Sequence, residues 1–319
     1  MYQTRVYTRM QILVSDTGGT NTRFAIYERE SHQLSNFRKY PNKDFDSLYA
    51  VVSTYLAETS ARPDFYCLDL AGPVANGTAR LTNINWDVSA VDMSAHTGIA
   101  QVSIINDLVA MGLSLVHLDA SGFDTLREGS VETYDNAQSL VINLGTGFNI
   151  CPVKNAPYPI ALEVEAGHST TAIDVMNVLS NQIAPDMQSQ FDTVEKCFAG
   201  RRLSGLFTAL GGDADTDSKA IVDRASAGDA QAQNTLRLFQ EMLGLYTAST
   251  ALNYLPQRGI IFAGSVARGA LSFEGAASFF EALDQPRLFD DRIAAMPVKI
   301  IKDDAAPLWG CVEKALQNI

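Results

Sequence analysis

Two periodicities take turns along this chain. Short apolar runs end in glycine, and longer stretches carry their apolar residues on one helical face. The runs at 11–14 and 23–27 flank Asp16-Thr17-Gly18-Gly19-Thr20-Asn21, and two strands joined through so glycine-rich a loop read as a hairpin. Residues 33–40 add a third strand. Over 44–58, Phe45, Leu48, Val51, Val52 and Tyr55 share one face, which predicts a helix. Residues 64–70 read as a strand running into Ala71-Gly72-Pro73-Val74, 88–98 as a helix, 101–105 as a buried strand, and 108–116 as the helix after it. This alternation predicts an α/β fold.

The second half repeats the opening device. A strand at 139–143 meets Leu144-Gly145-Thr146-Gly147 and returns over 148–153. Helices follow at 170–182, 199–210, 218–227 and 229–255. In the last, Leu236, Phe239, Leu243, Tyr246 and Thr250 form a stripe that reads as core. Pro256 stops it, a strand at 259–263 runs into Gly264-Ser265, and a strand at 297–301 and a helix at 306–316 close the chain. Two strand–glycine loop–strand units in successive halves predict two related domains facing a shared cleft.

Composition narrows the class. The chain has 319 residues, enough for about two domains, and is 46% apolar, enough for a substantial core. A net charge of −12 argues against a nucleic-acid partner and an anionic membrane surface. No apolar run approaches the ~20 residues of a membrane span, and the first ten residues lack the apolar segment of a signal peptide. Cys67, Cys151, Cys197 and Cys311 have no paired spacing, so buried thiols in a reducing, cytoplasmic setting are expected.

The loops carry the candidate chemistry. Consecutive backbone N–H groups in a glycine-rich turn line an anion-binding concavity. Asp16 repels phosphate, but it suits a Mg²⁺ that bridges phosphates, held through water; an ordinary tight hairpin is the plainer alternative. Asn106-Asp107 stands where a strand's carboxyl end meets a helix, the usual ligand position of an α/β sheet, although spacing alone favours a first-turn acid or N-cap for Asp107. Glu165 and His168, three residues apart, form at most half a metal site. Neither glycine loop is a dinucleotide fingerprint or a Walker A sequence.

The ordered set D-T-G-G-T-N, A-G-P-V, L-T-N-I-N-W, I-I-N-D, L-G-T-G, E-A-G-H, L-S-G and I-F-A-G-S resembles the bacterial glucokinases over nearly the whole chain. The Cys-rich zinc motif of related sugar kinases and repressors is absent, and little chain precedes the first strand to form a helix-turn-helix. The resemblance implies a two-domain actin-like ATPase (ribonuclease H-like) fold with the active site in the interdomain cleft. It implies a small domain of 1–106 plus 303–319 and a large domain of 107–302. It implies ATP- and Mg²⁺-dependent phosphorylation of the glucose 6-hydroxyl, a place in glycolysis, and a homodimer. Carried over by position, Asp107 is the general base; Asn106, Asp107, Glu165 and His168 bind sugar. Ser15, Asp16, Thr17, Gly18, Gly19, Thr20 and Asn21 form the first phosphate site, Gly145, Thr146 and Gly147 the second, and Gly264 and Ser265 the adenosine contact. Thr82, Asn83 and Trp86 shape the loop beside the site.

The chain departs from the family pattern. Asn143 and Asn149 stand where glycine is usual, Ala166 replaces a glycine after Glu165, and Ser265 another. Four residues before Ser204 of Leu203-Ser204-Gly205, where the family carries a second sugar-binding Glu, this reading finds Gly200, with Glu195 off register. That predicts weak glucose binding and room at the anomeric carbon. The alternative to an active glucokinase is a kinase for another sugar, or a degenerate relative that senses sugar or nucleotide without efficient turnover.

Overall fold

The computed structural model of the protein describes residues 10–81, 84–130 and 135–319, without the side chains of 186–188. Thr82 and Asn83 lie outside the described residues. The chain divides into two compact units, Met1–Leu118 with Asp304–Ile319, and Asp119–Asp303.

In the first unit, β1 (Gln11–Thr17) and β2 (Asn21–Glu28) form the expected hairpin, and β3 (Gln33–Pro41) continues it. A 3-10 turn at Asn42–Asp44 delays the helix, so α1 (Leu48–Thr59) starts where Ser47 caps it by accepting the Ala50 N–H at 3.3 Å. After β4 (Phe65–Leu70) come three short antiparallel strands, β5 (Val74–Ala75), β6 (Thr78–Arg80) and β7 (Asp87–Ser89). Then follow α2 (Ala90–Thr97), β8 (Gln101–Asn106) and α3 (Asp107–Ser114). The main sheet runs β3-β2-β1-β4-β8, with β1, β4 and β8 parallel. A strand covered on both faces reads as a continuous apolar run, which is why β1 is buried over six of its seven residues. One face meets α1, where Tyr55 stacks on Phe24 at 4.8 Å between centroids.

The second unit opens with β9 (Phe123–Arg127), then the hairpin β10 (Gln138–Leu144) and β11 (Phe148–Lys154), and the short β12 (Ile160–Ala161). Helices α4 (Ile173–Gln182), α5 (Val194–Phe198), α6 (Gly200–Ala209), α7 (Ser218–Ser226) and α8 (Ala230–Tyr254) follow. The unit ends with β13 (Gly259–Ala263), α9 (Ser265–Ser272), α10 (Ala277–Leu283), α11 (Asp290–Ala295) and β14 (Val298–Ile301). Its sheet runs β12-β11-β10-β13-β14-β9. The predicted α8 stripe is buried throughout and joins α4, α6 and the β10 and β13 side chains in one core. Each such leucine removed from water contributes about 1.5–3 kcal/mol.

Helix α12 (Ala306–Gln317) completes the first unit. It packs on α3 so closely that a Cβ on Gly310 would lie 1.7 Å from the Ala110 carbonyl oxygen. That contact keeps α3 with the first unit, beyond the expected boundary at Asn106. Strand β9 and the short helices α5, α9, α10 and α11 are absent from the sequence reading. Phe-Asp-Thr-Leu-Arg has too few apolar residues to stand out, and pieces of five to eight residues are too short to display a period.

Candidate active site

The Asp16 loop is a tight hairpin turn, closed by the Gly18 N–H on the Asn21 carbonyl at 3.1 Å. Buried Asn42 pins it from outside. Its Nδ2 donates to Gly18 O at 2.8 Å, its Oδ1 accepts from the Thr22 hydroxyl at 2.8 Å, and its N–H donates to Thr20 O at 2.8 Å. Among the described residues the Gly19 and Thr20 N–H groups have no protein acceptor, so they are available to an anion. The Ser15 hydroxyl is buried against the Tyr66 hydroxyl at 2.8 Å, and Thr17 is wholly buried. These two side chains belong to the core, and only their backbone borders the loop.

Three carboxyl groups meet at the carboxyl ends of β1, β4 and β8. Asp16 lies beside Asp69 in the parallel register and takes an ion pair from Arg23 at 2.7 Å. Arg23 faces Asp16 across the hairpin because the two are equally distant from the turn. Asp69 is fully buried, with the Cys311 thiol 3.4 Å from its Oδ2 and, among the described residues, no partner for Oδ1. Burial first, then the charges of Asp16 and Asp107, raise its pKa well above the usual 3.8. The sequence reading passed over this residue, though an aspartate inside the run Phe-Tyr-Cys-Leu-Asp-Leu was the available signal.

Asn106 is the N-cap of α3. Its Oδ1 accepts the N–H groups of Leu108 (2.9 Å) and Val109 (3.3 Å), while its Nδ2 donates to Gly72 O at 3.1 Å. Asp107 is the first residue of that helix, with Oδ1 2.9 Å from the Leu108 N–H. Of the two plainer readings of Asp107, the first-turn acid therefore holds locally and the N-cap does not, because the cap is Asn106. Burial, opposed by the Leu108 N–H and reinforced by Asp16, raises the Asp107 carboxyl from 3.8 to about 6. A carboxylate poised there is ionised at neutral pH yet basic enough to accept a proton.

In the second unit the β10–β11 turn presents Gly145, Thr146 and Gly147, with the Gly145 N–H on Gly147 O at 3.0 Å. Beside it β13 pairs with β10 and ends at Gly264, whose φ is +94°. A Cβ there would lie 2.1 Å from the Leu144 carbonyl oxygen and 2.9 Å from Asn143 Oδ1, so glycine is required on both counts. Exposed Ser265 opens α9. Glu165 and His168 border a 3-10 turn, both exposed, with the His168 N–H on Glu165 O at 3.2 Å. Among the described residues the side chain bonded to the Glu165 carboxylate is Asn149, not His168.

The structure corrects the reading of Gly200. A Cβ on Gly147 would lie 3.3 Å from Glu195 Oε2, and one on Gly167 would lie 3.4 Å from the Glu195 Cβ. Glu195 therefore sits between the second phosphate loop and the Glu165–His168 turn, held at 2.8 Å by Arg201. Gly200 instead packs on the loop itself: its N–H donates to Gly145 O at 2.8 Å, and a Cβ would meet that oxygen at 2.9 Å and Val266 Cγ2 at 3.0 Å. No space for a sugar opens at Gly200. Glu195 stands four residues before Ala199, so Phe198-Ala199-Gly200 occupies the place given to Leu203-Ser204-Gly205.

Among the described residues no group of three or more His, Cys, Asp or Glu side chains is arranged to hold a metal ion. Asp16, with one oxygen on Arg23, suits a cation bound mainly by phosphate and water. All four cysteines are buried thiols, and burial pushes Cys151 up to about 12 and Cys197 to about 11, which leaves them unreactive. No helix among the described residues is long and apolar enough to cross a membrane.

Comparison with known proteins identifies the family. The glucokinase family model matches residues 13–318. The glucokinase of Hahella chejuensis is 29% identical, covering 96% of this chain and 97% of its own length, and that of Tolumonas auensis is 27% identical, covering 94% and 95%. Among solved structures, a glucokinase from an Antarctic psychrotroph superposes with a TM-score of 0.84 at 25% identity, covering 98% of this chain and all of that one. The ROK hexokinase of Thermus thermophilus shares the fold at a TM-score of 0.68 and 21% identity. The fold is thus the two-domain actin-like ATPase fold, and the chain belongs to the glucokinase family.

Proposed function

We propose that this chain transfers the γ-phosphoryl group of ATP to the 6-hydroxyl of glucose, with Asp107 as general base. The observation that carries the reading is the Asp107 carboxyl, displaced to about 6 at the head of α3 beside the Asp16 loop. A sugar hydroxyl is a poor nucleophile until its proton has an acceptor, and a carboxylate ionised at neutral pH supplies one. The remainder of phosphoryl transfer is positioning and neutralisation of charge. The Gly19 and Thr20 N–H groups and the glycine turn at Gly145–Gly147 suit phosphate oxygens, and the Gly264–Ser265 junction suits the nucleoside.

Asp16 would hold Mg²⁺ through water, and when bound the ion neutralises phosphate charge. Glu165, His168 and Glu195 orient sugar hydroxyls, Glu195 taking the place of the second sugar-binding acid on the anomeric side. Carboxylates and imidazole suit vicinal diols because they accept, or both donate and accept, hydrogen bonds. Asn106 keeps one Nδ2 hydrogen for the sugar after its capping duties. A homodimer, a cytoplasmic location and a glycolytic role belong to the same proposal and rest on family membership.

The test is ADP release from Mg·ATP over a panel of hexoses. Glucose-dependent turnover is expected. Sugar-induced thermal stabilisation without turnover would establish the sensor reading, and turnover with another hexose alone would reassign the substrate.

A further inference from the structure

Asn149, on β11, spends its whole side chain on the turn that carries Glu165. Its Oδ1 accepts the N–H groups of Ile150 and Ala166, both at 2.9 Å. Its Nδ2 donates to Val164 O at 2.5 Å and to Glu165 Oε2 at 3.3 Å. Val164 and Ala166 are the two chain neighbours of Glu165, so one amide grips the backbone on either side of that residue and also its carboxylate. Only one orientation of the amide serves all four contacts. Reversed, it would set the NH₂ against two N–H groups and the carbonyl against two acceptors.

The turn needs such a clamp. Glu165 lies at φ −118°, ψ 53°, outside the helical and extended regions, and caps the 3-10 turn with no side-chain bond of its own to it. The residue is exposed. An exposed glutamate samples many rotamers and gives up that freedom when it engages a ligand. Restraint in advance lowers that cost and strengthens binding.

We propose that Asn149 is a positioning residue that preorganises Glu165 for the sugar, and that this chain has exchanged the glycine usual there for a neutral donor to do so. The inference rests on the sugar-kinase reading of Glu165. The donor must be neutral, because a carboxylate at Asn149 would stand against the Glu165 carboxylate. Losing a hydrogen bond to a charged group, together with the restraint it provides, predicts a ~10–100-fold weakening of sugar binding.

Three proteins test it: wild type, Asn149→Ala and Asn149→Asp. For Asn149→Ala, the sugar KM and the calorimetric sugar Kd should rise ~10–100-fold. The ATP KM should stay within about twofold and kcat at saturating sugar should fall far less than KM rises. Asn149→Asp keeps the two accepting contacts but sets a carboxylate oxygen against both Val164 O and the Glu165 carboxylate. It should bind sugar no better than Asn149→Ala. Wild-type sugar affinity in Asn149→Asp, or equal losses for sugar and ATP in Asn149→Ala, overturns the proposal. Absence of hexose-dependent ATP turnover in the wild type refutes the kinase reading instead, and hexose binding by the same three proteins still decides Asn149.

Discussion

Asp107→Asn together with the pH profile of the wild type probes the centre of the mechanism. The folded protein holds the Asp107 proton with a pKa of about 6 against the usual 3.8. At pH 7 roughly nine-tenths of the molecules carry the ionised base, and at pH 5 roughly one-tenth, whereas an ordinary aspartate would remain ionised at both. The expected kcat/KM, measured at low sugar, is therefore half-lost near pH 6 and falls about tenfold per pH unit below it. Replacing the carboxylate by an amide should lower kcat by ~10²–10⁴-fold while sugar binding changes less. The same displacement has a stability signature of opposite sense. The folded state binds the proton more tightly than the unfolded chain, so the stability due to protonation is full below pH 3.8 and is lost as the pH rises through about 6. From 3.8 to about 6 the loss is roughly 3 kcal/mol at 1.36 kcal/mol per pKa unit, and contact with water reduces it to about 1–3 kcal/mol. At pH 8 Asp107→Asn should be more stable than wild type by that amount, with the difference gone near pH 4 by urea unfolding. A kcat near wild type in Asp107→Asn, or a flat kcat/KM between pH 8 and 5, would refute the reasoning and leave Asp107 a first-turn acid.

Asp16→Ala should raise the Mg·ATP KM and leave sugar binding intact by calorimetry; loss of sugar binding with unchanged Mg·ATP binding would count against its assignment. Glu195→Gln should weaken glucose binding by ~10–100-fold, the share of a hydrogen bond from a charged acceptor, and unchanged glucose affinity would remove Glu195 from the sugar site. Gly200→Glu should not tighten glucose binding. The added side chain pushes on Gly145 O and Val266, so a stability loss of about 1–3 kcal/mol and a raised ATP KM are expected. Asn42→Ala removes two side-chain bonds to the Asp16 loop; it should lower stability by about 1–3 kcal/mol and weaken ATP more than sugar, as thermal unfolding and separate titrations would show.

What the chain determined by itself is what neighbours in sequence can encode. The Asp16 hairpin and the β10–β11 hairpin were legible because glycines bounded by apolar runs leave few other conformations. Helix α8 was legible because twenty-five residues display the 3.6-residue period many times. The motif order marked Asp107, Glu165, His168 and both glycine loops as one family's site. Tertiary structure decided the rest, because the deciding contacts join residues far apart in the chain. Nothing local announces that Asn42 will pin a loop twenty residues before it, or that the Cys311 thiol of α12 will reach the buried Asp69. The same holds for Asn149, which read only as a departure from a pattern until the turn at Glu165 folded against it. Glu195 is the clearest case. Counting from Leu203-Ser204-Gly205 set it off register, and only the packing of α5 against Gly147 and Gly167 placed its carboxylate between the second glycine loop and the Glu165–His168 turn. Spacing along a chain is a one-dimensional measure that a shifted motif defeats, whereas a side chain between two close backbones has only one place to be.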